Sequence, residues 1–167
     1  MTKRIENLKD VFLERGRELY NASVEEQKEL PRMQKQVTNS GLKQIIDLEL
    51  STASKQSLKL YDFLSKFDVK PKGEKDECCH SIVKEANKML AKTTDSYVKD
   101  VVILESIQRL NHNNISTLGT LASYAHEIGE GTMAASLHEL VDEEKRIDTK
   151  LSELAKSKIN KKAASVF

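Results

Sequence analysis

Very little in this chain is suited to turning, cross-linking or stacking. It has two prolines, six glycines, two cysteines, no tryptophan, and aromatic side chains at only 5% of its 167 positions. So few turn residues argue against a sheet protein, whose reversals draw on Gly and Pro. Two cysteines cannot build a disulfide framework. Cys78 and Cys79 are adjacent, and neighbours on a helix point apart and cannot bridge without strain, so reduced thiols and a cytoplasmic location are expected. No uninterrupted apolar run reaches signal or membrane length, which predicts no membrane association. Charge of one sign is missing too: 27 basic and 26 acidic residues leave a formal net charge of +1, so no global field attracts nucleic acid. The few aromatics do not alternate with basic residues as a base-stacking platform needs. No Gly-rich phosphate loop, Gly-x-Ser-x-Gly elbow or nucleophile triad is present, so neither a small-molecule substrate nor a catalytic residue is identified.

What the chain does have is helical periodicity over a length that suits one domain. The stripe Leu8, Val11, Phe12, Leu19, Ala22, Glu26 predicts a first helix over about Ile5 to Thr38, kinked or restarted at Pro31. Asn39-Ser40-Gly41 offers a break and a cap, and a second helix follows to about Lys66 through Leu42, Ile45, Ile46, Glu49, Ala53, Leu60 and Leu64. Asp68 to Gly73 holds a Pro and a Gly and reads as a loop, with a crossover plausible there. A short helix with Cys79, Ile82, Val83, Ala86, Met89 and Leu90 ends near Thr93, and Thr94-Asp95 caps the next. That fourth helix runs to Gly129-Glu-Gly131, and Thr132 is a cap candidate for a fifth, which carries Leu137, Leu140, Val141, Glu144, Ile147, Asp148, Leu151 and Leu154. The lysine-rich end, with Lys156, Lys158, Lys161 and Lys162, is expected to fray from about residue 157. Val101, Val102, Ile103 and Leu104 place apolar groups on more than one face of the fourth helix, which predicts a homodimer contact with Val102 and Ile103 facing outward.

The anomaly is polar. Four inward stripes carry polar groups near mid-helix: Ser23, Glu49 with Thr52, Asn111 with Asn114, and Glu144 with Asp148. Burying such groups costs several kcal/mol unless they are paired, so this layer reads as a hydrogen-bonded network, a ligand site, or a misjudged helix face. Di-iron bundles use about four carboxylates, with a Glu-x-x-His on each of two helices, to balance the charge of two ions. This layer offers at most three, Glu49, Glu144 and Asp148, and a satisfied network is the favoured reading.

The second half resembles the YciE/YciF-type ferritin-like family of bacterial stress-associated proteins. The similarity lies in Lys84-Glu-Ala-Asn87, Asp100, Gln108, His112, Gly119-Thr-Leu-Ala122 and Asp142-Glu-Glu-Lys145 with Asp148, Leu151 and Leu154. The first half is similar through Asp10, Phe12, Tyr20, Ala22, Lys28, Leu30-Pro31, Asn39, Leu42, Gln44 and Leu50. The resemblance implies an all-α, ferritin-like antiparallel four-helix bundle with an additional shorter helix, metal-associated, stress-induced and dimeric. It also implies glutamates where this chain has Ser23, Thr52, Asn111 and Asn114, and a His position at Glu49, so those four residues are read as degenerate ligand positions.

Glu77-Cys-Cys-His80 matches Glu-x-x-His, but at 100° per residue its side chains diverge and cannot meet one ion. His112 reads as a hydrogen-bonded bundle residue, and His126 and His138 as solvated. The expected protein is therefore a non-enzymatic, stress-associated ferritin-like bundle with a degenerate two-metal site and no cofactor. The alternative is a metalloprotein in which Glu49, His112, Glu144 and Asp148 hold iron or manganese for oxidation or storage chemistry.

Overall fold

The computed structural model describes residues 4–71, 73 and 75–166. Lys72, in the loop expected between Asp68 and Gly73, lies outside the described residues. The helices are α1 (Leu8–Gln34), α2 (Ser40–Lys66), α3 (Glu77–Lys92), α4 (Ser96–Glu127), α5 (Gly131–Leu154) and α6 (Asn160–Ala164), the last entered through a π turn at Ala155–Ile159. No strand occurs among the described residues, and no helix is long and apolar enough to cross a membrane.

Side-chain caps set four of the helix starts. Asn7, Asn39, Asp76 and Asp95 each accept hydrogen bonds from backbone N–H groups of the first turn, satisfying donors that have no partner within the helix. The fifth start differs from expectation: α5 begins at Gly131, one residue before Thr132, and has no side-chain cap. The preceding turn supplies the reason. Gly129 adopts φ 83°, Glu130 N–H donates to the Ala125 carbonyl at 2.8 Å, and Gly129 N–H to His126 at 3.1 Å. This closed Schellman turn delivers the chain directly into α5. Pro31 does not restart α1. It sits in the final turn, where its missing N–H costs one bond near an end that stops at Gln34, short of Thr38.

α1 and α2 form one antiparallel hairpin and α4 and α5 another. At one end of the bundle the Phe12 and Phe63 rings meet edge to face at 5.0 Å. At the other, Asp100 at the start of α4 binds the α1–α2 turn through Thr38 and Asn39. α2 and α4 therefore run in the same direction, and α3 makes the crossover between them, lying beside α1 and α4. This is the ferritin-like arrangement of a four-helix bundle with one long connection.

Near its start α4 is covered by several neighbours, while Glu105, Arg109, His112, Ser116 and Thr120 keep one face of the helix exposed. α1, α3, α5 and the C-terminal segment all pack against it, so Val102 and Ile103 are buried. The outward placement expected of these two residues is corrected accordingly: their apolar side chains serve burial within the chain. The lysine-rich end is helical and packs on the core. The π turn widens the helix just where Leu151, Ala155 and Ile159 recur every fourth residue, and it holds these apolar side chains on the core. Ile159 is 2% exposed, and Lys162 Nζ lies 5.4 Å from the Tyr97 ring centroid. The helical path continues to Ala164, past the point from which fraying is expected.

The apolar core is divided. One cluster fills the Asp100 end, from Leu30, Ile46, Ile103 and Leu151; the other fills the Phe12 end, from Leu19, Leu60, Leu121 and Leu137. The polar residues of mid-helix lie between them.

Candidate functional site

Each long helix contributes to that layer at the level where the two apolar clusters part. α1 brings Ser23 and Glu26, α2 brings Glu49 and Gln56, α4 brings Asn111 and Asn114, and α5 brings Glu144, all buried. Three carboxylates in a space this dry, with Glu26, Glu49 and Glu144 only 2%, 3% and 1% exposed, require donors, and the two asparagines provide them.

Asn111 Nδ2 donates to Glu49 Oε1 at 3.1 Å, to Glu144 Oε2 at 2.6 Å, and to the Glu144 carbonyl at 3.0 Å. Asn114 Nδ2 donates to Glu26 Oε1 at 3.1 Å and Oε2 at 3.3 Å, and to Glu144 Oε1 at 3.3 Å. Each amide nitrogen thus spans two carboxylates, and Glu144 is common to both. Gln56 Nε2 donates to Ser23 Oγ at 2.7 Å, and that hydroxyl donates to the Leu19 carbonyl at 2.8 Å.

The amide orientations follow from electrostatics: turning either asparagine would set its oxygen against carboxylate oxygens. The consequence is that Gln56 Oε1, Asn111 Oδ1 and Asn114 Oδ1 are buried without a partner among the described residues. An orphaned buried acceptor costs about 1–3 kcal/mol, against charge-assisted bonds that are roughly twice as strong as neutral ones.

Protons complete the layer. Burial, then the neighbouring Glu144, raise Glu26 to about 8 even though the Asn114 amide opposes the shift. Burial and the charge of Glu144 hold Glu49 well above the usual carboxylate range. Burial raises Glu144 to about 7, and hydrogen bonds from Glu49, Asn114 and Asn111 restrain it. The direction is the same for all three: the dry interior disfavours a charged carboxylate. The interaction between Glu49 and Glu144 pushes the first up and the second down, so Glu49 is the better proton holder of the two.

A ferritin-like fold implies a two-metal centre, and these residues do not fit one. The amide N–H groups point toward the carboxylates where cations would have to sit, and N–H is not a ligand. Among the described residues no three His, Cys, Asp or Glu side chains are grouped as an ion requires.

Of the residues singled out from sequence, Glu49, Asn111, Asn114 and Glu144 come together. Ser23 lies in the layer but bonds to Gln56. Thr52 is buried, with its hydroxyl 3.3 Å from Glu143 at the layer's edge. Asp148 and His112 lie outside the layer and pair with each other at 2.8 Å, because Asp148 is one position past the buried stripe of Glu144, Ile147 and Leu151. Glu77 and Cys78 face solvent, Cys79 is buried with its thiol pushed up by that burial, and His80 pairs with Glu25 at 2.8 Å. His126 and His138 are exposed. Sequence reasoning left Glu26 and Gln56 out of the layer. Both fit the inward spacing, Glu26 four residues after Ala22 and Gln56 three after Ala53.

Comparison with known proteins sets this geometry in context. A family model described as "Domain of unknown function (DUF892)" matches residues 7–164. Protein YciF of Escherichia coli (strain K12) is 28% identical over 160 residues, covering 95% of this chain and 96% of that protein. The crystal structure of the E. coli stress protein YciF superposes with a TM-score of 0.85 at 26% identity, covering 94% of this chain and 99% of that one. YcfI from Rhodopseudomonas palustris superposes with a TM-score of 0.84 at 30% identity, covering 91% and 97%.

Proposed function

Because this chain belongs to the DUF892 family, we propose that it is a non-enzymatic, stress-associated cytoplasmic bundle protein whose central layer is a degenerate two-metal site held together by hydrogen bonds and protons. The stress association rests on its likeness to the E. coli stress protein YciF. The observation that carries the metal-free reading is the position of two amide nitrogens, Asn111 Nδ2 and Asn114 Nδ2, each within hydrogen-bond distance of two buried carboxylates. They bridge carboxylates as ions do, at no cost in ligand charge. Ser23 and Thr52 complete the set of degenerate positions in this reading.

A second reading has one specific support, the third buried carboxylate, Glu26, which brings the layer's acids to three. In it Glu26, Glu49 and Glu144 hold one iron or manganese ion.

Elemental analysis of protein purified without chelator, followed by melting curves with and without Fe(II) or Mn(II), separates the two. The proposed function expects no stoichiometric metal and no change in Tm. Stoichiometric iron or manganese, lost on Glu26→Gln, would overturn it in favour of the second reading.

A further inference from the structure

On the side of the bundle away from α5, α1 and α3 run in the same direction and diverge enough to leave an open groove of about 840 Å³. Its walls come from positions 21, 24, 25, 28, 29 and 32 of α1 and 80, 83, 84, 87, 88 and 91 of α3. Both series follow the same three-four spacing. Each wall is thus one continuous helix face about 16 Å long, at about 1.5 Å per residue.

The cross-section is ordered. Val24, Val83 and Ala91 give the groove an apolar lining, with Val24 45% exposed. Lys28, Arg32, Lys75, Lys84 and Lys88 stand around it, against only Glu25 and Glu29. Both acids already have partners: Glu25 meets His80 at 2.8 Å, and Glu29 meets Arg32 at 2.8 Å. Among the described residues Lys75, Lys84 and Lys88 have no carboxylate partner. Lysine stems lie along apolar surface while their ammonium groups stay in water, so the groove is greasy along its length and cationic at its rims.

From this we propose that the α1–α3 groove docks an acidic amphipathic helix of a partner protein, about three turns long, with a small-to-medium apolar stripe flanked by Asp or Glu. The three-four ridges of two walls receive a third helix as ridges into grooves, and anchors at i, i+3, i+4 and i+7 are how a helix fills such a trough. A free phosphate or nucleotide would need cations converging on a polar floor, and here the floor is apolar. A bilayer surface cannot reach into a concave trough.

The test uses the full chain and a fluorescein-labelled helical peptide of about 18 residues (five turns), with Leu and Ala on one stripe and Glu on both flanks. The controls are the same peptide with Lys for Glu, and a peptide of the same composition with the stripe scrambled. Anisotropy should show saturable binding of the Glu peptide alone, weakened as ionic strength rises. Lys84→Glu with Lys88→Glu, both exposed, should keep the wild-type Tm and weaken binding at least about tenfold. Val24→Asp should weaken it similarly by placing charge on the lining. Amide chemical shifts should move along positions 21–32 and 80–91. Four results would each overturn the proposal: no binding of the Glu peptide, equal binding of the Lys or scrambled peptide, unchanged affinity in K84E/K88E, or shifts confined to other surfaces. Inorganic phosphate that displaces the peptide and reproduces its shifts would overturn it too, as a small-anion site.

Discussion

Asn111 Nδ2 lies 2.6 Å from Glu144 Oε2, and both residues are sealed from solvent between two apolar clusters. That one donor also serves Glu49 and the Glu144 backbone, so it couples α2, α4 and α5. Replacing Asn111 with Leu should cost about 3–5 kcal/mol in urea unfolding, because it strands buried acceptors while leaving the volume nearly constant.

Substituting both bridging amides by acids separates the degenerate positions from one another. Asn111→Asp with Asn114→Asp removes two donors and adds two carboxylates beside Glu26, Glu49 and Glu144. The apo protein should lose several kcal/mol, and its Tm should rise on adding Mn(II). Ser23→Glu with Thr52→Glu should be destabilised without that recovery, since Ser23 meets Gln56 and Thr52 meets Glu143. Equal recovery by Mn(II) in both double variants would contradict this layout.

Stability should fall as pH rises toward 8. Glu26 titrates at about 8 in the folded chain against the ordinary value of 4.5, and Glu49 is shifted in the same direction. The native state therefore binds more protons than the unfolded chain between those values. The stabilisation is fully present below the unfolded pKa and is lost as pH rises through the folded one. The slope is up to about 1.4 kcal/mol per pH unit for each proton held. Glu26→Gln should flatten the decline between pH 5 and 8, as measured by urea midpoints across that range.

Asp100 fixes the far end of the bundle. Its carboxylate accepts from Thr38 N–H at 2.8 Å, Thr38 Oγ1 at 2.6 Å and Asn39 N–H at 3.1 Å. Asp100→Ala should cost about 2–3 kcal/mol, the scale of hydrogen bonds to a buried charged group. Hydrogen exchange should speed up first in the α1–α2 turn.

The C-terminal segment is a test of order where charge suggested fraying. Ile159→Ala should cost about 2–4 kcal/mol as a cavity-forming change in a packed site. Lys158→Ala, on the solvent side of the same turn, should stay within about 0.5 kcal/mol of wild type. Equal, small effects in thermal unfolding would mean the segment does not hold the core.

Sequence alone determined the helical class, the number of long helices, and nearly every break, because these depend on local signals. The three-four spacing of Leu and Ile, the capping residues Asn39 and Asp95, and Gly129 at positive φ act within a turn or two of where they stand. It also determined that a polar layer exists, since Glu49, Asn111, Asn114 and Glu144 interrupt apolar stripes. Tertiary structure alone decided which polar groups meet. Glu26 lies on an inward stripe, but only the alignment of α1 against α4 brings it to Asn114, while Asp148, one position off its stripe, falls to the surface with His112. The burial of Val102, Ile103 and Ile159 was likewise decided by where α3 and the π turn pack, because a helix's own pattern specifies its apolar faces but not the partner that covers each one.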